Sequence, residues 1–170
     1  MTGMLARTAH IFTSRLHTLL KLLDRGEAEC GIDTLIAARL AEDMLPLPYQ
    51  IVFASDQASH FAAWCLDEPF PRTDAAGLDW AALKRYAADA IALVERAAGA
   101  VDDGVFARGK RVDLLDGMYL EFSGADYRDE WLMPNFYFHL VTAYDILRAN
   151  GVAIGKPDYM AHLLDRIRKD

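Results

Sequence analysis

The stretch SGADYRDEWLMPNFYFHLVTAYDILRANG, residues 123–151, decides the fold of this chain. Ser123 and Asp126 have the spacing of a capping box, which predicts that a helix begins at Ser123. Asn150 and Gly151 predict its end, because glycine readily adopts the left-handed conformation that terminates helices. At about 1.5 Å per residue this helix is about 40 Å long, which exceeds the average for globular proteins.

Two polar residues of this helix, Asn135 and His139, are predicted to face the protein interior. They are four positions apart and therefore lie one above the other on the helix surface. A buried polar group needs a hydrogen-bond partner or costs about 1–3 kcal/mol, so the partner of His139 becomes the main question. Pro134 predicts a kink near residues 130–134, because proline removes one backbone hydrogen bond. The predicted core face contains Trp131, Leu132, Asn135, Phe136, His139 and Ala143, and the predicted solvent face contains Glu130, Tyr137, Val141, Asp145 and Arg148.

Length and composition predict one globular domain over residues 1–170, with 53% hydrophobic residues and a formal charge of −7. The 18 basic residues are scattered, whereas phosphate recognition needs a basic stripe, so nucleic acid is not an expected partner. The two cysteines, Cys30 and Cys65, are far apart and suit a reducing cytoplasm. Residues 1–20 do not have the pattern of a signal peptide, which also favours a cytoplasmic location.

Three further long helices are predicted by apolar periodicity. They cover residues 2–25, a central buried segment that begins near Pro48 within residues 44–66, and residues 80–98 with Asp79 as the N-cap. Asp33 is expected to cap a short helix that runs through Leu40. The central segment is apolar, but its prolines, Asp56 and His60 argue against a membrane span.

A small β-hairpin is predicted before the last long helix. Residues 112–114 and 118–122 alternate in polarity, and Asp116-Gly117 between them is a strong hairpin signal. After Gly151 a short final helix is expected to begin at Asp158 or its neighbour.

Several segments together resemble the bacterial DUF1993 family, which belongs to the DinB/YfiT-like helical bundles. The resemblance is carried by AARLAEDM (37–44), by Gln50 and Asp56, by PNFYFH (134–139) and by TAYDILRANGVAIGK (142–156). It covers nearly the whole chain. It implies an all-α four-helix bundle of unknown function that is commonly a homodimer.

The resemblance also implies a possible metal site. Typical members of the superfamily hold a divalent metal with three histidines, one from the second helix and an H-x-x-x-H pair from the late helix, and some are thiol-dependent transferases. Here His139 matches a late-helix position, but Asn135 precedes it by four residues and Ala143 follows it by four. The second helix offers Asp56 and His60 instead.

Three hypotheses for this site remain open. In the first, Asp56, His139 and His60 bind zinc or nickel with help from Asn135 and water, which would support hydrolase or transferase chemistry. In the second, Asp56 and His139 form a metal-free pair in which the carboxylate raises the pKa of the imidazole, beneath a ligand pocket. In the third, the polar residues form a satisfied core network that fixes helix register.

The candidate pocket residues are Asp56, Asn135, His139, Gln50, Trp131 and Tyr144, with Phe136 as an additional wall. A non-catalytic role as a dimeric binding or structural protein is the alternative, because alanine-rich helix faces and an acidic surface suit helix-to-helix association.

Overall fold

The computed structural model describes residues 3–71 and 73–169 and confirms a mainly helical fold with one small hairpin. The helices are α1 Met4–Cys30, α2 Ile32–Ala37, α3 Leu47–Leu66, α4 Trp80–Ala100, α5 Gly124–Asp126, α6 Met133–Ala149 and α7 Lys156–Tyr159. The strands β1 Lys110–Asp113 and β2 Tyr119–Phe122 pair antiparallel, with Lys110 opposite Phe122. Short 3-10 segments lie at Asp103–Ala107, Leu115–Gly117 and Ala161–Arg166.

Four long helical segments form the bundle. Helix α3 packs against α4 and α6, and α1 packs against the same two helices from the opposite side. The predicted apolar stripe of α1 is buried, as its residues Leu5, Phe12, Leu16, Leu19 and Leu23 show. Phe12 joins three helices, because its ring centroid lies 5.4 Å from that of Phe61 on α3 and 4.9 Å from that of Phe136 on α6. No helix within the described residues is long and apolar enough to cross a membrane.

The last long helix contains a π-helical segment, Tyr127–Leu132, between α5 and α6. It begins as predicted, since the Asp126 backbone N–H donates to Ser123 Oγ at 3.1 Å. The π turn lies where the kink near residues 130–134 is predicted, and in it the Met133 N–H bonds to the carbonyl of Arg128, five residues back. The turn brings Tyr127 and the preceding strand together, with Tyr127 and Phe122 ring centroids 6.3 Å apart.

The hairpin closes through the predicted Asp116-Gly117 pair. Both residues have positive φ, 57° and 73°, as a type I′ turn requires, and the Met118 N–H bonds to the Leu115 carbonyl at 3.2 Å.

The sequence prediction for the short helix α2 is wrong in two respects. Its N-cap residue is Gly31, at φ 78°, and Asp33 lies inside the first turn without capping it. The helix also ends at Ala37 instead of Leu40. Helix α1 continues to Cys30, beyond the predicted end at residue 25.

Replacing Asp79 by alanine should lower the free energy of unfolding by about 1 kcal/mol, since Asp79 Oδ1 accepts the Ala82 N–H at 2.7 Å. The matched change Asp33→Ala removes no capping bond and should cost only a few tenths of a kcal/mol through the helix dipole. Urea unfolding of the two variants measures the difference. Equal losses would contradict this assignment of the caps.

Candidate functional site

The hydrogen-bond partner of His139 is Gln50. His139 is half-buried on α6, and its Nδ1 lies 2.9 Å from Oε1 of Gln50 on α3, which is buried. The Gln50 Nε2 group donates to the Leu45 carbonyl at 2.9 Å, which turns Oε1 toward the imidazole. Since Oε1 can only accept, this hydrogen-bond pattern assigns the hydrogen to Nδ1 of a neutral His139.

The second ring nitrogen of His139, Nε2, is left as an acceptor. It has no hydrogen-bond partner among residues 3–71 and 73–169. It is also not one of the buried polar atoms that lack a partner in that part of the chain, so solvent reaches it. The imidazole is fixed between aromatic rings, with centroids 5.1 Å from Phe53 and 5.2 Å from Phe138.

Burial lowers the pKa of His139 to about 4. The imidazole loses hydration when it is buried, and its cationic form loses more than its neutral form does. The hypothesis that Asp56 raises the pKa of His139 is therefore wrong. At neutral pH the side chain is uncharged.

Asp56 hydrogen-bonds on a different side of α3. It is buried, and its Oδ1 accepts a hydrogen bond from the Tyr86 hydroxyl of α4 at 2.5 Å. The hydrogen bonds and ion pairs described for Asp56 do not include His139. Gln50 and Asp56 are six residues apart, which at about 100° per residue separates their directions by about 120°. Gln50 therefore faces α6 while Asp56 faces α4, and the predicted Asp56–His139 pair does not form within the described residues.

Asn135 lies one helical turn before His139. Its Nδ2 group donates to the Trp131 carbonyl at 2.6 Å, within its own helix. Its Oδ1 has no partner in the described part of the chain and is not among the buried unpartnered atoms there. Asn135 Oδ1 and His139 Nε2 are thus two accessible acceptors one turn apart.

The other candidate residues lie elsewhere. His60 packs against the Phe70 ring at 5.1 Å and faces a cleft beside β1 that Trp131 also lines. Tyr144 lies at the other end of α6 and packs on Tyr159 at 5.7 Å, next to a separate cavity of about 150 Å³. Phe136, which is predicted to line the same pocket as Trp131 and Tyr144, is fully buried in the core. The described contacts therefore join Gln50 to His139, with Asn135 one turn away on α6, and they place His60 and Trp131 at a different cleft.

The donor set around His139 does not suit a tightly bound zinc ion. The resemblance implies three histidines, one on α3 and an i,i+4 pair on α6. Here Gln50 on α3 and Asn135 on α6 supply amides at two of these positions, and only His139 supplies an imidazole. Amide oxygens are weak zinc ligands, and Gln50 is already bonded to the imidazole. Within the described residues, no group of three or more His, Cys, Asp or Glu side chains comes together as a metal site.

The stability of the protein should fall as pH is lowered from 6.5 toward 4 because of His139. Its folded-state pKa of about 4 is below the ordinary 6.5, so the unfolded chain takes up the proton first. The stability advantage of wild type over His139→Gln should shrink by about 3 kcal/mol between pH 7 and pH 4. Urea unfolding across this range measures it, with the exposed His17→Gln variant as control. A pH-independent difference would contradict the burial of a neutral imidazole.

Comparison with known proteins identifies the family. The family model described as "Domain of unknown function (DUF1993)" matches residues 4–160. A solved structure of a DinB family member from Shewanella denitrificans is similar, with 30% sequence identity and a TM-score of 0.74. The match covers 89% of this chain and 88% of that chain. No curated protein matches the sequence.

Proposed function

This chain belongs to the DUF1993 family and has the DinB-like bundle fold, and we propose that it binds a small donor-bearing molecule at the neutral imidazole of His139 without a metal ion. The observation that carries this proposal is the 2.9 Å hydrogen bond between His139 Nδ1 and Gln50 Oε1. It holds the ring in one tautomer and leaves Nε2 free to accept a hydrogen bond from a ligand.

The surroundings of Nε2 favour a ligand with N–H donors. Asn135 Oδ1 offers a second acceptor one turn away, about 5–6 Å between Cβ atoms. Phe53 is half-buried against the His139 ring, and the half-buried Tyr49 ring packs on Phe53 with centroids 5.9 Å apart. Ring faces attract cations as well as apolar groups. Together these groups match a small amine or amide, which donates at the polar end and packs its body on the rings.

The protonation state of His139 supports binding over acid–base catalysis. With a pKa of about 4, only about one molecule in a thousand carries an imidazolium at pH 7. General acid–base catalysis is most efficient when the pKa is near the working pH, which is not the case here. The alternative, a metal-dependent hydrolase or transferase, would need zinc or nickel on this amide-rich donor set.

Benzylammonium should bind at this site, and benzoate of similar size should not. The affinity for benzylammonium should fall about tenfold in His139→Leu and in Asn135→Leu, since each removes one hydrogen bond worth about 1.4 kcal/mol. The exposed His17→Leu variant should bind as wild type does. Isothermal titration calorimetry measures the affinity of every variant, before and after treatment with a chelator, and NMR shifts of the His139 ring signals locate the binding in the wild-type protein.

Three outcomes would overturn the proposal. They are the absence of a saturable His139 shift with benzylammonium, an unchanged affinity in His139→Leu, or loss of binding after chelation together with stoichiometric bound metal. The last outcome would establish the metal-dependent alternative.

We also propose that the protein is a cytoplasmic homodimer. Phe138 and Val141 of α6 are 59% and 39% exposed, and Leu45, whose carbonyl accepts from Gln50, is 47% exposed. Exposed apolar side chains near one another favour association. The two free cysteines, Cys30 and Cys65, suit a reducing compartment.

Replacing Phe138 by glutamate should convert the dimer into monomers, because burying an unpaired charge in an apolar interface is unfavourable. Sedimentation velocity at micromolar concentration measures the oligomeric state. The matched control is Leu164→Glu in the C-terminal segment, since Leu164 is equally exposed at 59%. A monomeric wild type, or a dimer that survives Phe138→Glu, would contradict this interface.

A further inference from the structure

A second cleft lies between α3, β1 and the π turn, about two helical turns along α3 from Gln50. It encloses about 260 Å³, and its lining includes Gln57, His60, Lys110, Arg111, Tyr127 and Trp131. A neighbouring cavity of about 250 Å³ shares His60 and Lys110 with it. The combined space accommodates a small organic molecule.

Gln57 presents an unpaired acceptor at this cleft. Gln57 lines the cleft, and its Nε2 donates to the Phe53 carbonyl at 3.4 Å. Its Oε1 is buried and has no hydrogen-bond partner in the described part of the chain. An unsatisfied buried acceptor costs about 1–3 kcal/mol, which a ligand N–H or O–H group would recover.

Lys110 presents an unpaired cation at the same cleft. Its ammonium group lies 5.9 Å from the centroid of the Tyr127 ring and forms no ion pair with a carboxylate of residues 3–71 or 73–169. Arg111 is different, because it is paired with Asp113 at 2.7 Å and lies 3.9 Å from the centroid of the Tyr119 ring. With Asp113 neutralised by Arg111, Lys110 remains as the positive charge available to a ligand.

Aromatic rings supply the wall of the cleft. The π turn carries both Tyr127 and Trp131, and the Phe122 ring of β2 packs against them with centroids 6.3 and 6.2 Å away. An inserted π turn re-aims the side chains around it, and such turns are frequent at functional sites. A flat ligand ring can pack against this wall.

We propose that this cleft binds small aromatic carboxylates that carry a hydrogen-bond donor. The carboxylate pairs with the Lys110 ammonium group, the donor bonds to Gln57 Oε1, and the ring packs against Trp131. The site is separate from the one at His139 and prefers the opposite ligand charge.

Three related probes test the parts of this proposal. They are 4-hydroxybenzoate, benzoate, which lacks the hydroxyl donor, and 4-hydroxybenzamide, which lacks the negative charge. The wild-type protein should bind 4-hydroxybenzoate about tenfold more tightly than either of the other two. The measurement is an NMR titration that follows the Trp131 indole N–H signal, assigned with a Trp131→Phe variant.

Two variants should change the probe preference in different ways. Gln57→Leu should remove the advantage of 4-hydroxybenzoate over benzoate while benzoate affinity stays the same. Lys110→Gln should weaken both carboxylates about tenfold and leave 4-hydroxybenzamide unchanged. Lys21→Gln, at an exposed position on α1, is the matched control and should bind as wild type does. Thermal unfolding verifies that Gln57→Leu is folded, as expected when an unpaired buried acceptor is removed.

The proposal is overturned if the Trp131 signal shows no saturable shift at millimolar probe, or if the three probes bind equally. It is also overturned if a folded Gln57→Leu protein keeps the wild-type preference. Because the readout is the Trp131 signal and none of the probes is a cation, failure here is distinguishable from failure of amine binding at His139.

Discussion

The hydrogen-bonded chain from the Leu45 carbonyl through Gln50 to His139 is the interaction on which the polar interior depends. Each link fixes the next, because the carbonyl orients the amide and the amide orients the imidazole. The chain also ties the start of α3 to the middle of α6, two segments that are far apart in sequence. Its outcome is a neutral histidine with one nitrogen buried and bonded and the other accessible to solvent, which is the form that accepts a hydrogen bond from a ligand.

The π turn before Pro134 determines which side chains lie at the end of the α3–α6 interface that is farther from His139. Pro134 cannot donate a backbone hydrogen bond to the preceding turn, and the wider π turn at Tyr127–Leu132 comes just before it. Tyr127 and Trp131 then pack on the hairpin through Phe122. The same α3–α6 interface thereby carries neutral acceptors at His139 and Asn135, and a cation with a buried acceptor at Lys110 and Gln57.

Local signals predicted most of the fold, and the contacts between helices could not be predicted in the same way. Ser123, Asp79 and Asp116-Gly117 act on neighbouring residues, so their patterns identified the helix starts and the hairpin. Helical periodicity also placed His139 on an inward face. It could not select the partner on α3, where Gln50 and Asp56 point about 120° apart toward different helices. The charge of Asp56 favoured it as the predicted partner of His139. Its described partner is Tyr86, and the uncharged Gln50 is the residue that hydrogen-bonds to His139.

The most direct test of the Gln50–His139 hydrogen bond is long-range proton–nitrogen NMR of the histidine rings at pH 7, with His139 assigned by substitution. We expect a neutral His139 ring with its hydrogen on Nδ1, and loss of that single tautomer in Gln50→Leu. A hydrogen on Nε2, or a protonated imidazolium at pH 7, would contradict the assignment of Gln50 as the residue that sets the chemistry of this site.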